Sequence, residues 1–117
     1  METKMPFPSQ ESNGIIILKA ENERLDSNIA PELKTQILVL AEEGHDKVLL
    51  DLSRVVYVDS SGLGAILFGI RQFRDRGGAL RIFGAKERVQ HLIKIAKLEE
   101  VVLNYASEAD AINSFSE

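Results

Sequence analysis

Short runs of consecutive apolar residues recur along the chain, and longer segments of mixed polarity separate them. The runs are rich in β-branched residues and are bounded by glycine or polar residues, a pattern typical of buried β-strands. Five strands are predicted on this basis: Ile15–Leu18, Lys47–Leu52, Val55–Val58, Ala79–Phe83 and Val101–Leu103.

The segments between these strands carry apolar residues at helical spacing. From Ile29 to Leu40 the apolar positions follow every three or four residues, which predicts a helix with one buried stripe. A helix-start signal over Asp26–Glu32 precedes it, in which the first three residues are N-cap candidates, and Gly44 is predicted to end it. Three further helices are predicted: Ser60–Arg76, Glu87–Lys97 and Ser107–Phe115.

Strands that alternate with helices predict an α/β domain, because parallel strands are joined through helical crossovers. The whole chain, residues 1–117, is expected to form a single domain. Residues 1–14 are polar and contain Pro6 and Pro8. They are therefore expected to form at best an edge strand, over Glu2–Phe7, or a flexible N-terminus.

Composition narrows the classes of protein to which this domain can belong. Hydrophobic residues make up 44% and charged residues 27% of the 117 positions, which is ordinary for a globular protein. The absence of cysteine excludes disulfide scaffolds, thiolate metal sites and cysteine nucleophiles. A net charge of −4 argues against a protein that binds DNA or RNA, whose affinity depends on clustered positive charge.

Two further features of the sequence bear on localisation. No apolar run reaches the ~18–20 residues that a membrane-spanning helix needs, so no membrane span is expected. The N-terminus, Met1–Gln10, lacks the apolar centre of a signal peptide. A soluble cytoplasmic protein is therefore expected.

The segment Val55–Gly69 carries the most unusual residues of the chain. Ser60 and Ser61 lie where a strand is predicted to end and a helix to begin. The free N–H groups at a helix start favour anions, so a phosphate group fits this position. The alternative is structural: one serine caps the helix, and Gly62 and Gly64 allow close packing against the sheet.

Several enzyme classes are excluded by the residues around these serines. A nucleophile elbow needs glycine two positions before its serine, where Val58 and Asp59 stand here. A P-loop would lack its Gly-Lys-Ser/Thr ending, and the dinucleotide fingerprint has Leu67 where a small residue is needed. Asp59 as the phosphate acceptor of a receiver-like domain would need further carboxylates for Mg²⁺, and the first strand end offers at most Glu21. No catalytic residue, cofactor or metal ligand is therefore assigned.

Histidines and arginines outside this segment offer weaker candidates. His45 and His91 are interpreted as solvated or packing side chains, since neither has a cysteine or a suitably spaced histidine nearby. Four arginines lie close together in the sequence, at Arg71, Arg74, Arg76 and Arg81. They are interpreted either as a solvated helix face or as half of a charge-complementary protein interface.

The motif Val58-Asp59-Ser60-Ser61-Gly62-Leu63-Gly64 resembles that of STAS domains, and specifically that of bacterial anti-sigma factor antagonists. The resemblance extends from about Gly14 to Phe115. Leu25-Asp26 followed by Ala30–Lys34, and Gly77-Gly78-Ala79-Leu80, support it. It implies a STAS-type fold, in which a small mixed sheet of four to five strands is packed with about four helices.

The resemblance also implies a protein that is switched by phosphorylation and is not an enzyme. The first serine of the motif, Ser60, is then the phosphorylated residue. Its kinase doubles as the anti-sigma factor, which the unphosphorylated protein binds so that a sigma factor is released. A metal-dependent serine phosphatase reverses the modification. The switch loop that contacts the partner is expected to comprise Asp26, Asp59, Ser60, Ser61, Gly62 and Leu63.

Two other functions remain open at this point. A STAS domain that docks on a transporter or a lipid-transport complex would use Ser60 only as a helix cap. A nucleotide-binding enzyme would use the turn at Gly62–Gly64. Phosphate on Ser60 after incubation with ATP and host lysate supports the switch, and intrinsic turnover supports the enzyme. The absence of both results supports docking.

Overall fold

A five-stranded sheet with helices on both faces organises the computed structural model of the protein, which describes residues 7–116. Within these residues the strands are β1 (Ser9–Ser12), β2 (Ile15–Lys19), β3 (Arg24–Leu25), β4 (Lys47–Asp51), β5 (Tyr57–Val58), β6 (Ala79–Phe83) and β7 (Asn104–Tyr105). The helices are α1 (Ala30–Glu42), α2 (Ser60–Arg74), α3 (Glu87–Ile95) and α4 (Glu108–Ser114). The predicted α/β class, with a small mixed sheet and four helices, is confirmed.

The main sheet has the order β1-β2-β4-β6-β7, with β1 antiparallel to β2 and the other neighbours parallel. Strands β3 and β5 pair with each other in a separate two-stranded sheet. Helical crossovers join the parallel strands, as the alternation of apolar patterns predicts.

A tight turn at Asn13-Gly14 determines the position of the edge strand β1. Both residues have positive φ, 51° for Asn13 and 82° for Gly14, as a two-residue hairpin of type I′ requires. The hairpin register places an edge strand at Ser9–Ser12, after the range Glu2–Phe7 in which one was predicted. Phe7 itself lies outside β1 with a buried side chain, and the rest of the predicted range falls outside the described residues.

Both faces of the sheet are buried, which explains why its central strands appear as continuous apolar runs. Successive strand residues point to opposite faces. On one face Leu50 belongs to the main core, together with Ile37 of α1 and Phe73 of α2. On the other face Leu49 belongs to a smaller core that includes Ala111 of α4. Helices α1 and α2 pack against each other on the first face, where the candidate site lies.

Two of the predicted strands differ in the structure. Val101–Leu103 is a turn, because the backbone N–H of Val102 donates to the Leu98 carbonyl just after α3, and the last strand is β7 instead. Only the end of the predicted Val55–Val58 strand is extended and paired, as β5. Its partner β3 was not predicted, because a strand of two residues leaves no apolar run in the sequence.

The start of α1 also differs from the prediction. Ile29 occupies the N-cap position, and no side chain caps the helix. The Asp26 carboxylate instead accepts a hydrogen bond from the Asn28 N–H at 3.1 Å, within its own loop. The predicted end is confirmed, since Gly44 follows the helix with a φ of 91°. No helix within residues 7–116 is long and apolar enough to cross a membrane.

The predicted basic cluster is divided between separate places in the fold. Arg76 donates to Glu42 of α1 at 3.1 Å. Arg81 lies on β6, donates to the Ser114 hydroxyl at 2.7 Å and stacks with its guanidinium carbon 4.5 Å from the centre of the Phe115 ring. The four arginines therefore do not form one cluster, and a protein interface at the exposed Arg71 and Arg74 stays a prediction.

Replacing Arg81 by methionine is expected to destabilise the protein by about 1 kcal/mol, because α4 loses a charge-assisted hydrogen bond and a stacking contact. Amide hydrogen exchange measures the effect, with faster exchange in α4 than in β4 or β6 as the expected result. Arg74→Met is the control, since the Arg74 side chain is 64% exposed and its loss is expected to change stability little. Unchanged exchange in α4 would show that its docking does not depend on Arg81.

Candidate functional site

The Asp59 carboxylate joins the start of α2 to the loop before α1. Its Oδ1 accepts a hydrogen bond from the Gly62 N–H at 2.9 Å, as the N-cap of α2. Its Oδ2 accepts one from the Ser27 N–H at 3.3 Å. Asp59 and not a serine is therefore the cap, so the structural hypothesis that Ser60 or Ser61 caps the helix is wrong.

Gly62 and Leu63 support the start of α2 from inside the protein. A Cβ on Gly62 would lie 2.1 Å from the carbonyl oxygen of Leu25 in β3, so no side chain fits there. Leu63 is 9% exposed and belongs to the main core. Both residues were predicted to belong to the switch loop that contacts a partner. In the structure they are buried below the exposed serines and hold the start of α2 in position.

Ser60 and Ser61 are exposed on the first turn of α2, at one end of an open cleft between α1 and α2. The cleft has a volume of about 380 Å³. Seven residues from the two helices and the preceding loop line it: Ser27, Ala30, Pro31, Lys34, Ser60, Ser61 and Gly64. A group attached to either serine hydroxyl would therefore project into solvent or into this cleft.

Asp26 lies in the loop that Asp59 holds, although its own carboxylate points into local contacts. Oδ1 accepts from the Asn28 N–H at 3.1 Å, and Oδ2 lies 3.2 Å from Nε of Arg24. Asp26 lines a different depression from the one that contains Ser60. The structure thus places Asp26 directly before Ser27, whose N–H the Asp59 carboxylate binds, and Arg24 partly balances its charge.

Lys34 and Pro31 on α1 are site residues that the sequence analysis did not single out. They share one face of α1 with Ala30, as residues three and four positions apart do in a helix. The Lys34 ammonium lies 5.8 Å from the centre of the Phe68 ring on α2. The spacing of these residues was visible in the sequence, but only the packing of α1 on α2 shows that this face borders Ser60.

The side chains of the candidate site carry hydroxyl, carboxylate and ammonium groups. Among the described residues, no group of three or more histidines, cysteines or acidic side chains could hold a metal ion. Nε2 of His45 lies 3.9 Å from Oε1 of Glu43 in the turn after α1, and His91 is exposed on α3. Because Ser60 and Ser61 are exposed beside a cleft, both a modifying enzyme and a binding partner can reach them.

Comparisons with known proteins identify the family. The family model described as the STAS domain matches residues 7–111. The anti-sigma-B factor antagonist of Bacillus subtilis is 32% identical over 78 residues, which are 67% of this chain and 71% of that protein.

Two solved structures share the fold. TM1081 of Thermotoga maritima has a TM-score of 0.87 at 23% identity and covers 95% of both chains. The Bacillus protein SpoIIAA in its phosphorylated form has a TM-score of 0.73 at 17% identity, over 93% of this chain and 98% of that one. The two structures show the shared fold, and the family match and the curated relative show that the chain belongs to the STAS domain family, among the anti-sigma factor antagonists.

Proposed function

We propose that this protein is an anti-sigma factor antagonist whose unphosphorylated form binds an anti-sigma factor with serine kinase activity and so releases a sigma factor. Phosphorylation of Ser60 by that kinase ends the binding, and a metal-dependent serine phosphatase restores it. The protein acts in the cytoplasm as a binding partner and a substrate, not as an enzyme. The observation that carries this proposal is an exposed Ser60 on the first turn of α2, in a chain 32% identical to an anti-sigma-B factor antagonist.

The rigid start of α2 makes Ser60 a suitable substrate for a kinase. Phosphoryl transfer requires the hydroxyl oxygen to line up with the γ-phosphorus of ATP, so that an oxygen–phosphorus bond forms as ADP leaves. A base of the kinase takes the hydroxyl proton. The Asp59 cap and the close packing of Gly62 on β3 hold the backbone on both sides of the serine, so its position is well defined before the kinase binds.

The electrostatics of the site allow a phosphate on Ser60 without loss of the fold. The modification adds about −1.5 to −2 charges. The positive end of the α2 dipole favours such an anion by about 0.3–1 kcal/mol. Asp59 opposes it, but both of its oxygens already accept backbone N–H groups, which offsets part of that repulsion. The phosphate therefore acts by charge and bulk at the interface, with α2 intact.

Phosphate mapping tests the modification. The full chain is incubated with ATP and its anti-sigma factor kinase, and the modified residue is located by mass spectrometry. The expected result is phosphate on Ser60 in the wild type and in Ser61→Ala, and none in Ser60→Ala. Phosphate on Ser61 alone would overturn the assignment, and an α2 that melts in the NMR spectrum of the phosphorylated protein would overturn the mechanism by charge and bulk.

Binding to the same kinase tests the switch. Ser60→Ala is expected to bind in the presence of ATP as tightly as the unphosphorylated wild type does. Ser60→Glu is expected to bind about tenfold more weakly or worse, because a carboxylate places like charge where the partner must fit. Calorimetry or surface plasmon resonance gives both dissociation constants. Equal affinity of the two variants would favour the alternative, a docking subunit without a phospho-switch.

A further inference from the structure

Three glycines of α2 occupy very different surroundings. An added Cβ would lie 2.1 Å from the Leu25 carbonyl oxygen at Gly62, and 2.8 Å from side-chain atoms of Ile37 and Leu80 at Gly69. At Gly64 an added Cβ would meet nothing within 4 Å. A side chain would thus press on the backbone at Gly62 and on two side-chain ends at Gly69, and would meet no obstacle at Gly64.

Backbone conformation does not require glycine at Gly64 either. The residue lies inside α2 and is absent from the glycines with positive φ. Glycine is the least favourable residue of a helix interior apart from proline, because it loses the most backbone entropy on folding. The fold of the single chain would be more stable with alanine here, and the space above Gly64 is free for something that the chain binds.

The space above Gly64 is part of the cleft that contains Ser60. Of the seven residues that line this cleft, Lys34 alone carries a charge. Its position over Phe68 holds the ammonium beside α2 rather than far out in solvent. The nearby Asp59 carboxylate is occupied by the N–H groups of Ser27 and Gly62, so Lys34 is the charged group that lines the cleft and can pair with a ligand.

We propose that the cleft receives a segment of the anti-sigma factor, whose main chain passes directly over Gly64 and whose carboxylate side chain pairs with Lys34. This rests on the proposed function and names the contact that Ser60 controls. A close approach of two backbones explains the missing Cβ at Gly64. A phosphate on Ser60 enters the same cleft and competes with the partner's carboxylate for Lys34, which explains why one modification excludes the partner.

Gly64→Ala distinguishes this proposal from a structural role, because stability is expected to rise while affinity for the anti-sigma factor falls. The melting temperature is expected to rise by about 4 °C, since alanine favours the helix. The dissociation constant for the unphosphorylated complex with the anti-sigma factor is expected to rise about tenfold or more. Asn113→Ala is the control: it also improves helix propensity, at an exposed position of α4, and is expected to leave binding unchanged.

Lys34 is tested by charge removal and charge reversal. Lys34→Gln is expected to weaken binding about fivefold and to flatten its salt dependence, and Lys34→Glu to weaken it further. Lys94→Gln, on the exposed side of α3, is the matched control with wild-type affinity expected.

Failure of this proposal can be told apart from failure of the proposed function. If the wild type binds the anti-sigma factor while Gly64→Ala and Lys34→Glu bind equally well, the cleft is not the contact and the function stands. If the wild type itself does not bind the anti-sigma factor, the proposed function and this inference both fall.

Discussion

Replacing Gly62 by alanine is expected to lower the free energy of unfolding by about 3 kcal/mol. The new Cβ would lie 2.1 Å from the Leu25 carbonyl oxygen and 2.9 Å from its carbon, both in the backbone of β3. Overpacking costs about 1–3 kcal/mol where side chains can move aside, and more where only backbone can yield. Leu25 is also held by the N–H of Asp59, which donates to the same carbonyl at 3.3 Å. The start of α2 must therefore move away from β3, which disturbs the Asp59 cap as well.

Chemical denaturation of the two alanine variants in the same motif provides the measurement. Gly64→Ala is the matched control, because it changes the same residue type in the same helix where space is open. We expect Gly62→Ala to lose stability and Gly64→Ala to gain about 1 kcal/mol. A Gly62→Ala protein as stable as the wild type would mean that β3 and α2 can separate at little cost.

Replacing Asp59 by alanine has the second largest expected effect, a loss of about 2 kcal/mol. Loss of an N-cap carboxylate costs about 0.5–2 kcal/mol. The variant also frees the Ser27 N–H, which the same carboxylate binds 32 residues away in the chain. Because Ser27 belongs to the cleft, the loop before α1 is expected to exchange its amide protons faster.

Asp59→Asn distinguishes the contribution of the N-cap bond to Gly62 from that of the bond to Ser27. The asparagine carbonyl oxygen can still accept from the Gly62 N–H, since asparagine is as good an N-cap as aspartate. Its amide group is a donor, however, and cannot accept from the Ser27 N–H. We expect about half of the alanine effect on stability and the full effect on exchange at Ser27. Wild-type exchange at Ser27 in this variant would contradict the role assigned to Oδ2.

The fold was predictable because its main elements carry their signals locally. The strands β2, β4 and β6 are buried on both faces, so they appear as continuous apolar runs in the sequence. The stripes of α1 and α2 follow from helical spacing. Elements without such a pattern were not predicted or were predicted at other residues. Strands β3 and β7 have only two residues each, and the position of β1 depends on a polar hairpin turn.

The candidate site was predictable in part, through the serine pair and its motif. The sequence showed that Ser60 stands between a strand and a helix, and the structure places it on the exposed first turn of α2. It could not assign the neighbours of Ser60. Leu63 was expected to contact a partner and lies in the core, whereas Lys34 was not assigned to the site and lines the cleft.

By itself the sequence determined the class of the fold, the order of the main elements and the position of Ser60 between a strand and a helix. These properties depend on residues a few positions apart, so apolar spacing and the switch motif reveal them. Only the tertiary structure decided what surrounds that serine, because the Asp59–Ser27 bond and the α1–α2 cleft join residues about thirty positions apart. The tertiary structure also distinguished Gly62 from Gly64, which are alike in sequence. Gly62 lies against the Leu25 carbonyl of β3, and Gly64 faces open space.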